Sequence, residues 1–167
     1  MHITIEKATA ADAEAVLAYL KQVGGETDNL SFGAEGLPFS KEAEAEYLSK
    51  IEKSRNNIML LAKENGKIVG SSSLARLSGR MSHRGEIAVT VLKQYWNRGI
   101  GRQLVQKVID FAAENAFEVI DLQVRSDNIA AIHLYEKMGF KKLGSHPSFF
   151  KMKGEKISFD YMYLTIQ

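Results

Sequence analysis

The chain has 167 residues, of which 45% are hydrophobic and 25% are charged, a composition that suits one domain with a substantial core. Its 22 Lys and Arg residues nearly balance its 20 Asp and Glu residues, and no block of like charges indicates nucleic acid or an anionic membrane as a partner. The absence of cysteine excludes disulfides, thiolate metal sites and a cysteine nucleophile, and no apolar run approaches membrane-spanning length. We therefore expect one soluble, cytoplasmic domain over residues 1–167.

The first part of the chain is predicted to form a strand followed by two helices. Residues 2–7 alternate as a strand does, and Thr9 and Asp12 then provide a helix-start signal. This first helix is expected to end at Gly24-Gly25. Ser40 is predicted to cap the second helix, whose expected apolar stripe is Ala43, Tyr47, Leu48 and Ile51.

The connection between these helices, residues 26–39, is rich in glycine and polar residues but also carries large apolar ones: Leu30, Phe32, Leu37 and Phe39. Such a connection either forms a satellite cluster beneath a long loop or acts as a lid over a substrate. The sequence leaves both interpretations open.

The remaining pattern alternates strands and helices. Asn65-Gly66 is a tight-turn signal between two strands. A hairpin is predicted over residues 78–84, and we interpret the basic residues in and just before it as a solvated face: Arg76, Arg80, His83 and Arg84. The predicted strands are 57–63, 67–77, 85–92, 118–124, a short 140–144 and 157–165, and the predicted helices begin at Ile100 and Asn128. This order favours an α+β fold, with a mixed, mostly antiparallel sheet of about seven strands flanked by about four helices.

Gly99 and Gly101 lie where the strand ending near Leu92 gives way to a helix. Glycines at the N-terminus of a helix let successive N–H groups face an anion, and the helix dipole adds to the attraction. A phosphate is therefore the expected ligand. The dinucleotide fingerprint would need a glycine at Leu104, and the P-loop would need Lys-Ser/Thr after Gly101 instead of Arg102-Gln103. The loop alone therefore predicts only a generic phosphate site.

Asn128 and Tyr135 are about two helical turns apart, so they project from one helix face about 10 Å from each other. Ala131 lies between them, and its small side chain adds little bulk to that face. Gly139 then ends the helix and Phe140 begins a strand. Each residue alone also has a purely structural explanation, as a helix cap, a half-buried aromatic or a helix stop.

Taken together, these segments resemble a known family. Residues 95–101, YWNRGIG, look like the pyrophosphate loop Gln/Arg-x-x-Gly-x-Gly/Ala of the GNAT superfamily of acyl-CoA-dependent N-acetyltransferases, and residues 128–140 look like its Asn-x-x-Ala-x-x-Leu-Tyr-x-x-x-Gly-Phe segment. Trp96 departs from the pattern, which has Gln or Arg there. The resemblance covers residues 56–145 well. It implies a GNAT-like fold that transfers an acetyl group from acetyl-CoA, as co-substrate and without a metal, to a primary amine by direct attack in a ternary complex.

The resemblance also implies a role for each matched residue. Backbone groups of Val89 and Val91 would hold the pantetheine arm as an added strand. Asn128 would contact the arm near its reactive end, and Tyr135 would donate a proton to the departing thiolate. The pyrophosphate would be held by the backbone amides of Arg98, Gly99, Ile100, Gly101 and Arg102.

The acceptor amine needs a base or a water chain, because an alkylammonium with a pKa of about 10.4 is only ~1 part in 2,500 neutral at pH 7. Glu86 is the main candidate, since on a period-two strand it shares a face with Ala88 and Thr90. The alternative is that Glu86 pairs with Arg84 or Arg102 on the surface. His83 is a reserve candidate, and His133 is interpreted as structural or solvated.

The identity of the acceptor stays open between a small-molecule amine, such as a polyamine, an antibiotic or an amino acid, and a protein N-terminus or lysine. By analogy with the family, residues 146–150 and 30–39 would line its pocket. Asp160 binds an acceptor amine or faces solvent, and we favour solvent. A non-catalytic acyl-CoA-binding module and a structural interaction domain are the rival functions, and the resemblance leaves room for a homodimer.

Overall fold

The computed structural model describes residues 2–167, which contain four α-helices and seven strands. In chain order the elements are β1 (Ile3–Lys7), α1 (Ala13–Glu26), α2 (Lys41–Glu52), β2 (Asn57–Glu64), β3 (Lys67–Arg76), β4 (Arg84–Val91), α3 (Ile100–Glu114), β5 (Val119–Arg125), α4 (Ile129–Lys137), β6 (Lys141–Met152) and β7 (Glu155–Thr165). The strands form one sheet in the order β1-β2-β3-β4-β5-β7-β6, in which only β4 and β5 pair in parallel. The predicted mixed, mostly antiparallel α+β fold is confirmed.

The helices cover opposite faces of this sheet. Tyr19 of α1 reaches Thr90 on one face. On the other face, Leu104 of α3 packs on Gly70, and Leu134 of α4 lies close to Gly101 of α3. The apolar face that α3 carries at helical spacing is buried in full: Ile100, Leu104, Val105, Val108, Phe111 and Ala112. No helix within residues 2–167 is long and apolar enough to cross a membrane.

The parallel strands β4 and β5 separate soon after they meet. Their register pairs run from Arg84↔Val119 to Glu86↔Asp121, and beyond that point the sheet opens between residues 87–91 and 122–125. We call this gap the fork. Because the N–H of Leu92 bonds to Val69 of β3, the alternation of an antiparallel ladder turns the backbone groups of Val89 and Val91 away from β3 and into the fork.

The prediction that Gly24-Gly25 end the first helix is wrong, because α1 continues to Glu26. The glycines serve packing instead. A Cβ on Gly24 would lie 2.2 Å from the carbonyl oxygen of Gly33, and one on Gly25 would lie 3.3 Å from the Cβ of Ala34. Their missing side chains therefore let the α1–α2 loop, residues 27–40, lie directly on the last turn of the helix.

The stripe predicted for α2 is partly wrong. Leu48 and Ile51 are buried as expected, but Ala43 is exposed and Tyr47 is 50% exposed. Glu44, only 5% exposed, takes the inward position, and burial raises the pKa of its carboxyl group. Ser40 does cap the helix, since its Oγ accepts a hydrogen bond from the N–H of Ala43 at 3.1 Å.

The last hairpin differs most from expectation. The predicted short strand 140–144 begins only at Lys141 and is the first part of β6, which runs to Met152 and so also includes residues 146–150. Register shifts near Gly144 and between His146 and Phe150 break the alternation that sequence reasoning relies on. Pro147 is tolerated because β6 is the edge strand.

Candidate active site

A cavity of about 350 Å³ extends from the fork along α3 and α4. Its lining brings together the cofactor-binding residues predicted from the sequence, apart from Arg98, and it also includes Tyr135. We call it the first cavity. The matched residues in its wall are Val89, Val91, Gly99, Ile100, Gly101, Arg102, Asn128, Ala131 and Tyr135.

The two loop glycines have different structural reasons. Gly99, which precedes α3, has a φ of 78°, a left-handed conformation that favours glycine. Gly101 lies inside the helix, where a Cβ would be 3.3 Å from the Cδ2 of Leu134, so its absence lets α4 approach. Among the described residues no side chain caps the first turn of α3, so its N–H groups are available to an anion in the first cavity.

Arg98 and Trp96 flank this turn in different ways. The Arg98 guanidinium lies 5.1 Å from the centroid of the Tyr95 ring, and Arg98 is not part of the lining of the first cavity. Trp96 lines the first cavity, and its Nε1 donates a hydrogen bond to the carbonyl oxygen of Val91 at 2.8 Å. Sequence reasoning assigned no role to Trp96, although its departure from the family pattern was the available signal.

Asn128 and Tyr135 both face the first cavity. Asn128 also caps α4, because its Oδ1 accepts a hydrogen bond from the N–H of Ala131 at 3.3 Å, so its structural and functional interpretations are compatible. Tyr135 is 8% exposed and packs against Phe140, with 5.5 Å between ring centroids. Burial raises the pKa of Tyr135 to about 12, so its hydroxyl is protonated at neutral pH.

Hydroxyl groups line the fork on the α1 side. Thr90, in the wall of the first cavity, shares hydrogen bonds with the Tyr19 hydroxyl at 2.8 Å and the Ser71 hydroxyl at 3.0 Å. Burial raises the pKa of Tyr19 to about 12, so this group also stays neutral. Thr90 was placed on the Glu86 face from the sequence, but its partner Tyr19 is too distant along the chain for any local pattern to reveal.

The structure does not bring Glu86 into the lining of the first cavity. Glu86 is exposed on the sheet face that also carries Thr90, at the last β4–β5 register pair before the fork, opposite Asp121. Among the described ion pairs, Arg84 joins Asp121, with 2.7 Å between Nε and Oδ2. Arg84 therefore pairs with Asp121 and not with Glu86, which was the alternative expected from the sequence.

A second cavity, of about 340 Å³, lies between the α1–α2 loop and the β6–β7 hairpin. It shares Thr27 and Leu30 with the first cavity, so the two adjoin. Phe32 from the loop and Phe149 and Phe150 from β6 give it an aromatic wall, and the Phe149 ring stacks on Phe159 with 4.5 Å between centroids. Leu30 and Phe32 also pack against the main core, so this loop both covers the core and lines a cavity.

The interpretation of Asp160 as a solvent-facing residue is wrong. Asp160 is 5% exposed and accepts hydrogen bonds from the hydroxyls of Ser126 at 2.7 Å and Ser145 at 2.6 Å. Burial pushes the pKa of Asp160 upward, but these hydrogen bonds and the nearby Lys142 outweigh burial and leave it below the usual value. Asp160 thus ties β5, β6 and β7 together. Among the described residues no group of His, Asp and Glu is placed to hold a metal ion.

The chain is similar in sequence and fold to several known proteins. Residues 27–140 match the model of the family described as "Acetyltransferase (GNAT) family". N-alpha-acetyltransferase RimI of Mycobacterium tuberculosis is 33% identical over 102 residues, covering 60% of this chain and 63% of that protein. L-amino acid N-acyltransferase MnaT of Escherichia coli is 27% identical over 110 residues, covering 65% and 64%. The crystal structure of a GNAT acetyltransferase from Streptococcus pneumoniae superimposes with a TM-score of 0.95 at 32% identity, over 99% of this chain and 100% of that one.

The chain therefore belongs to the GNAT family of acetyltransferases, which confirms the family predicted from its two motifs. Acetyl transfer from acetyl-CoA, the reaction that defines this family, is the enzyme class predicted from the sequence. The chain spans slightly less than two thirds of the length of the two curated relatives described above. The reaction that this chain catalyses and its acceptor are therefore a matter of proposal.

Proposed function

We propose that this protein transfers an acetyl group from acetyl-CoA to the primary amine of a small molecule, by direct attack within a ternary complex. The observation that carries the proposal is the first cavity, which joins the fork, the uncapped first turn of α3 and the face shared by Asn128 and Tyr135. A single acetyltransferase domain over residues 1–167 and a cytoplasmic location belong to the same proposal.

The cofactor would bind chiefly through backbone groups. Val89 and Val91 would bond the pantetheine arm as if it were a further strand in the fork. The amides of Arg98 and of the residues that open α3, Gly99 to Arg102, would hold the pyrophosphate, supported by the positive end of the helix dipole. Asn128 would bond the arm near its reactive end.

In the chemical step, the neutral amine nitrogen attacks the thioester carbonyl carbon, the C–S bond breaks, and the nitrogen loses a proton while the sulfur gains one. With a pKa of about 12 for Tyr135 and about 8.5 for a thiol, full proton transfer to the thiolate is uphill by about 3.5 units, or roughly 5 kcal/mol. Tyr135 therefore acts mainly by donating a hydrogen bond to the sulfur as negative charge develops there.

Glu86 is the proposed base. Its exposed carboxylate, next to the start of the fork, would take the proton from the amine directly or through a water molecule. An acceptor that approaches from the β4–β5 ladder, over the sheet face that carries Glu86, would pass Glu86 before it reaches the thioester.

The second cavity supports an acceptor with an apolar or aromatic group attached to its amine. Leu30, Phe32, Phe149 and Phe150 form the apolar part of its wall, and Asp28, Ser31 and Lys151 add polar and charged side chains. The several positive charges of a flexible polyamine would find one carboxylate, Asp28, in this wall, together with the like charge of Lys151. An amine with a compact apolar group would instead bury that group there.

A second candidate acceptor is the α-amine of a peptide, which the similarity to an N-alpha-acetyltransferase favours. A peptide α-amine has a pKa of about 7.7–8.0, so its neutral form lies only ~1 kcal/mol above the charged form at pH 7. An exposed and unassisted carboxylate such as Glu86 would suffice for that acceptor.

The deciding experiment measures acetyl-CoA-dependent thiol release across matched amines: phenethylamine, phenylalanine, spermidine, a tripeptide with a free N-terminus, and an N-acetylated lysine peptide. The proposal predicts turnover with one of the first two. Turnover restricted to the tripeptide would select the second candidate, and turnover only with spermidine or the lysine peptide would contradict the acceptor class.

Calorimetry with CoA separates the rival functions. Binding without thiol release for any amine would indicate a non-catalytic acyl-CoA-binding module, and no binding at all would indicate an interaction domain. The homodimer stays a prediction, which sedimentation velocity at micromolar protein concentration would test.

A further inference from the structure

Trp96 is the single tryptophan of the chain and stands at the first position of the pyrophosphate-loop pattern. Its Nε1 donates to the Val91 carbonyl oxygen at 2.8 Å. The ring lines the first cavity, yet 45% of the residue is exposed. The indole is therefore held at its N–H edge while much of its surface remains available to a ligand.

Side-chain hydrogen bonds fasten the segment that leads into the pyrophosphate loop to three different elements. The backbone N–H of Lys93 donates to Glu26 of α1, and the Tyr95 hydroxyl donates to Glu64 of β2, each at 2.7 Å. The Trp96 bond to Val91 of β4 is the tether nearest the cavity. Together these bonds set the start of the pyrophosphate loop before any ligand arrives.

The loop needs such support because Asn97 has a φ of 60° and Gly99 a φ of 78°. Asparagine and glycine adopt this left-handed region, but both also populate other conformations readily. A loop without the Trp96 tether would sample those alternatives, and the first-turn N–H groups of α3 would face the cavity for less of the time.

The Trp96 tether also decides where a cofactor arm leaves β4. The carbonyl of Val91, which points toward the fork, is already occupied by the indole N–H. An arm added as a strand would use the backbone groups of Val89 and the N–H of Val91, and would then turn toward α3. In CoA the segment at that point contains the dimethyl-bearing carbon, which one methylene group separates from the pyrophosphate oxygen, and such an apolar group suits an aromatic ring.

We propose that Trp96 is a positioning residue for CoA: its N–H bond to Val91 fixes the pyrophosphate loop, and its exposed ring packs on the dimethyl-bearing carbon of the arm. This inference rests on the proposed use of acetyl-CoA. The contact is remote from the thioester, so it stabilises the bound substrate and the transition state alike and acts on KM, not on kcat.

The test compares two substitutions that separate the roles of Trp96. Trp96→Phe keeps an aromatic ring and removes the N–H donor, whereas Trp96→Gln introduces a residue of the family pattern and removes the ring. Gln94→Ala, at an exposed position on the preceding turn and outside the cavity lining, is the control. Calorimetry measures the affinity of each protein for CoA and for ADP, which has the pyrophosphate but lacks the arm.

Trp96→Phe is expected to weaken CoA and ADP alike, by about fivefold, the effect of one hydrogen bond. Trp96→Gln is expected to weaken CoA by about tenfold and ADP by less, because only CoA meets the ring. In both variants the KM for acetyl-CoA rises while kcat stays within about twofold of the parent. Parent-like affinity for CoA in both variants would overturn the inference.

The unmodified protein supplies a second measurement, because all of its tryptophan emission comes from Trp96. CoA should shift this emission to shorter wavelength by removing water from the ring, and ADP should leave it in place. An emission spectrum unchanged at saturating CoA would contradict the ring contact. Failure of the parent to bind CoA at all would overturn the proposed function together with this inference.

Discussion

Tyr135 combines deep burial with a position in the cavity wall, and its hydroxyl stays protonated at every pH at which the enzyme would work. Tyr135→Phe removes the hydroxyl that we propose donates to the leaving sulfur, and it leaves the packing against Phe140 intact. We expect kcat to fall by about 10²-fold with little change in the KM for acetyl-CoA. Steady-state kinetics beside the exposed control Tyr47→Phe would test this, and unchanged turnover would remove Tyr135 from the mechanism.

Glu86 occupies the opposite kind of environment, exposed on the sheet face where the fork begins. Glu86→Gln should lower the rate near pH 7 by about tenfold and move the rate maximum to higher pH, where the amine loses its proton to solvent without help. Glu118→Gln, which alters an exposed glutamate just before β5, is the matched control. A pH profile identical to that of the parent protein would end the assignment of Glu86 as the base.

At the scale of elements, Gly24 determines how the α1–α2 loop lies on the end of α1. Gly24→Ala would place a Cβ 2.2 Å from a backbone oxygen of that loop, so the loop must move. We expect a loss of about 1–3 kcal/mol in the free energy of unfolding. The KM for the acceptor should rise more than the KM for acetyl-CoA, because Gly33, whose carbonyl oxygen the Cβ would meet, lines the second cavity and not the first.

Gly25→Ala is the comparison for that variant. Its Cβ would meet only the Cβ of Ala34 at 3.3 Å, and alanine favours the helix. Thermal unfolding and acceptor kinetics on both variants would show the contrast. Equal effects of the two substitutions would mean that close approach of the loop to Gly24 is unimportant.

The Asp160 cluster links three strands and gives the hairpin a pH dependence. Because the pKa of Asp160 is lower in the folded protein than in the unfolded chain, its stabilising contribution is present above about pH 4 and is lost as the pH falls through the folded-state pKa. Asp160→Asn should lower the free energy of unfolding by about 1 kcal/mol at pH 7 and flatten its decline in acid. Denaturant titrations at pH 7 and pH 3 would measure the free energy of unfolding of both proteins. If that free energy fell by the same amount between the two pH values in Asp160→Asn as in the parent, this account would be contradicted.

Local patterns predicted much of the fold because several elements carry their signals within one turn or one strand. The face of α3, the Ser40 cap and the Asn65-Gly66 turn all follow from neighbouring residues. The errors arose where tertiary contacts decide. Gly24 faces a loop rather than ending a helix, and β6 continues through Pro147 because an edge strand tolerates a proline and bulges.

The same distinction applies to the site. Asn128 and Tyr135 share a helix, so their common face could be inferred from spacing, and the structure places both on the first cavity. The Trp96 bond to Val91, the Tyr19 bond to Thr90 and the aromatic wall around Phe149 depend on segments brought together by folding. Pairings of that kind have no signature in a single sequence.

At the scale of the whole molecule, the fork divides the sheet into a sub-sheet of β1 to β4 and a sub-sheet of β5 to β7, which share a ladder only from Arg84↔Val119 to Glu86↔Asp121. A cofactor arm bonded into the fork would connect the two sub-sheets. CoA should then raise the midpoint of thermal unfolding and also sharpen the transition, because the two sub-sheets become one cooperative unit. Release of CoA would break the hydrogen bonds that join the two sub-sheets through the arm. The rate of CoA release would therefore depend on how fast the two sub-sheets move apart.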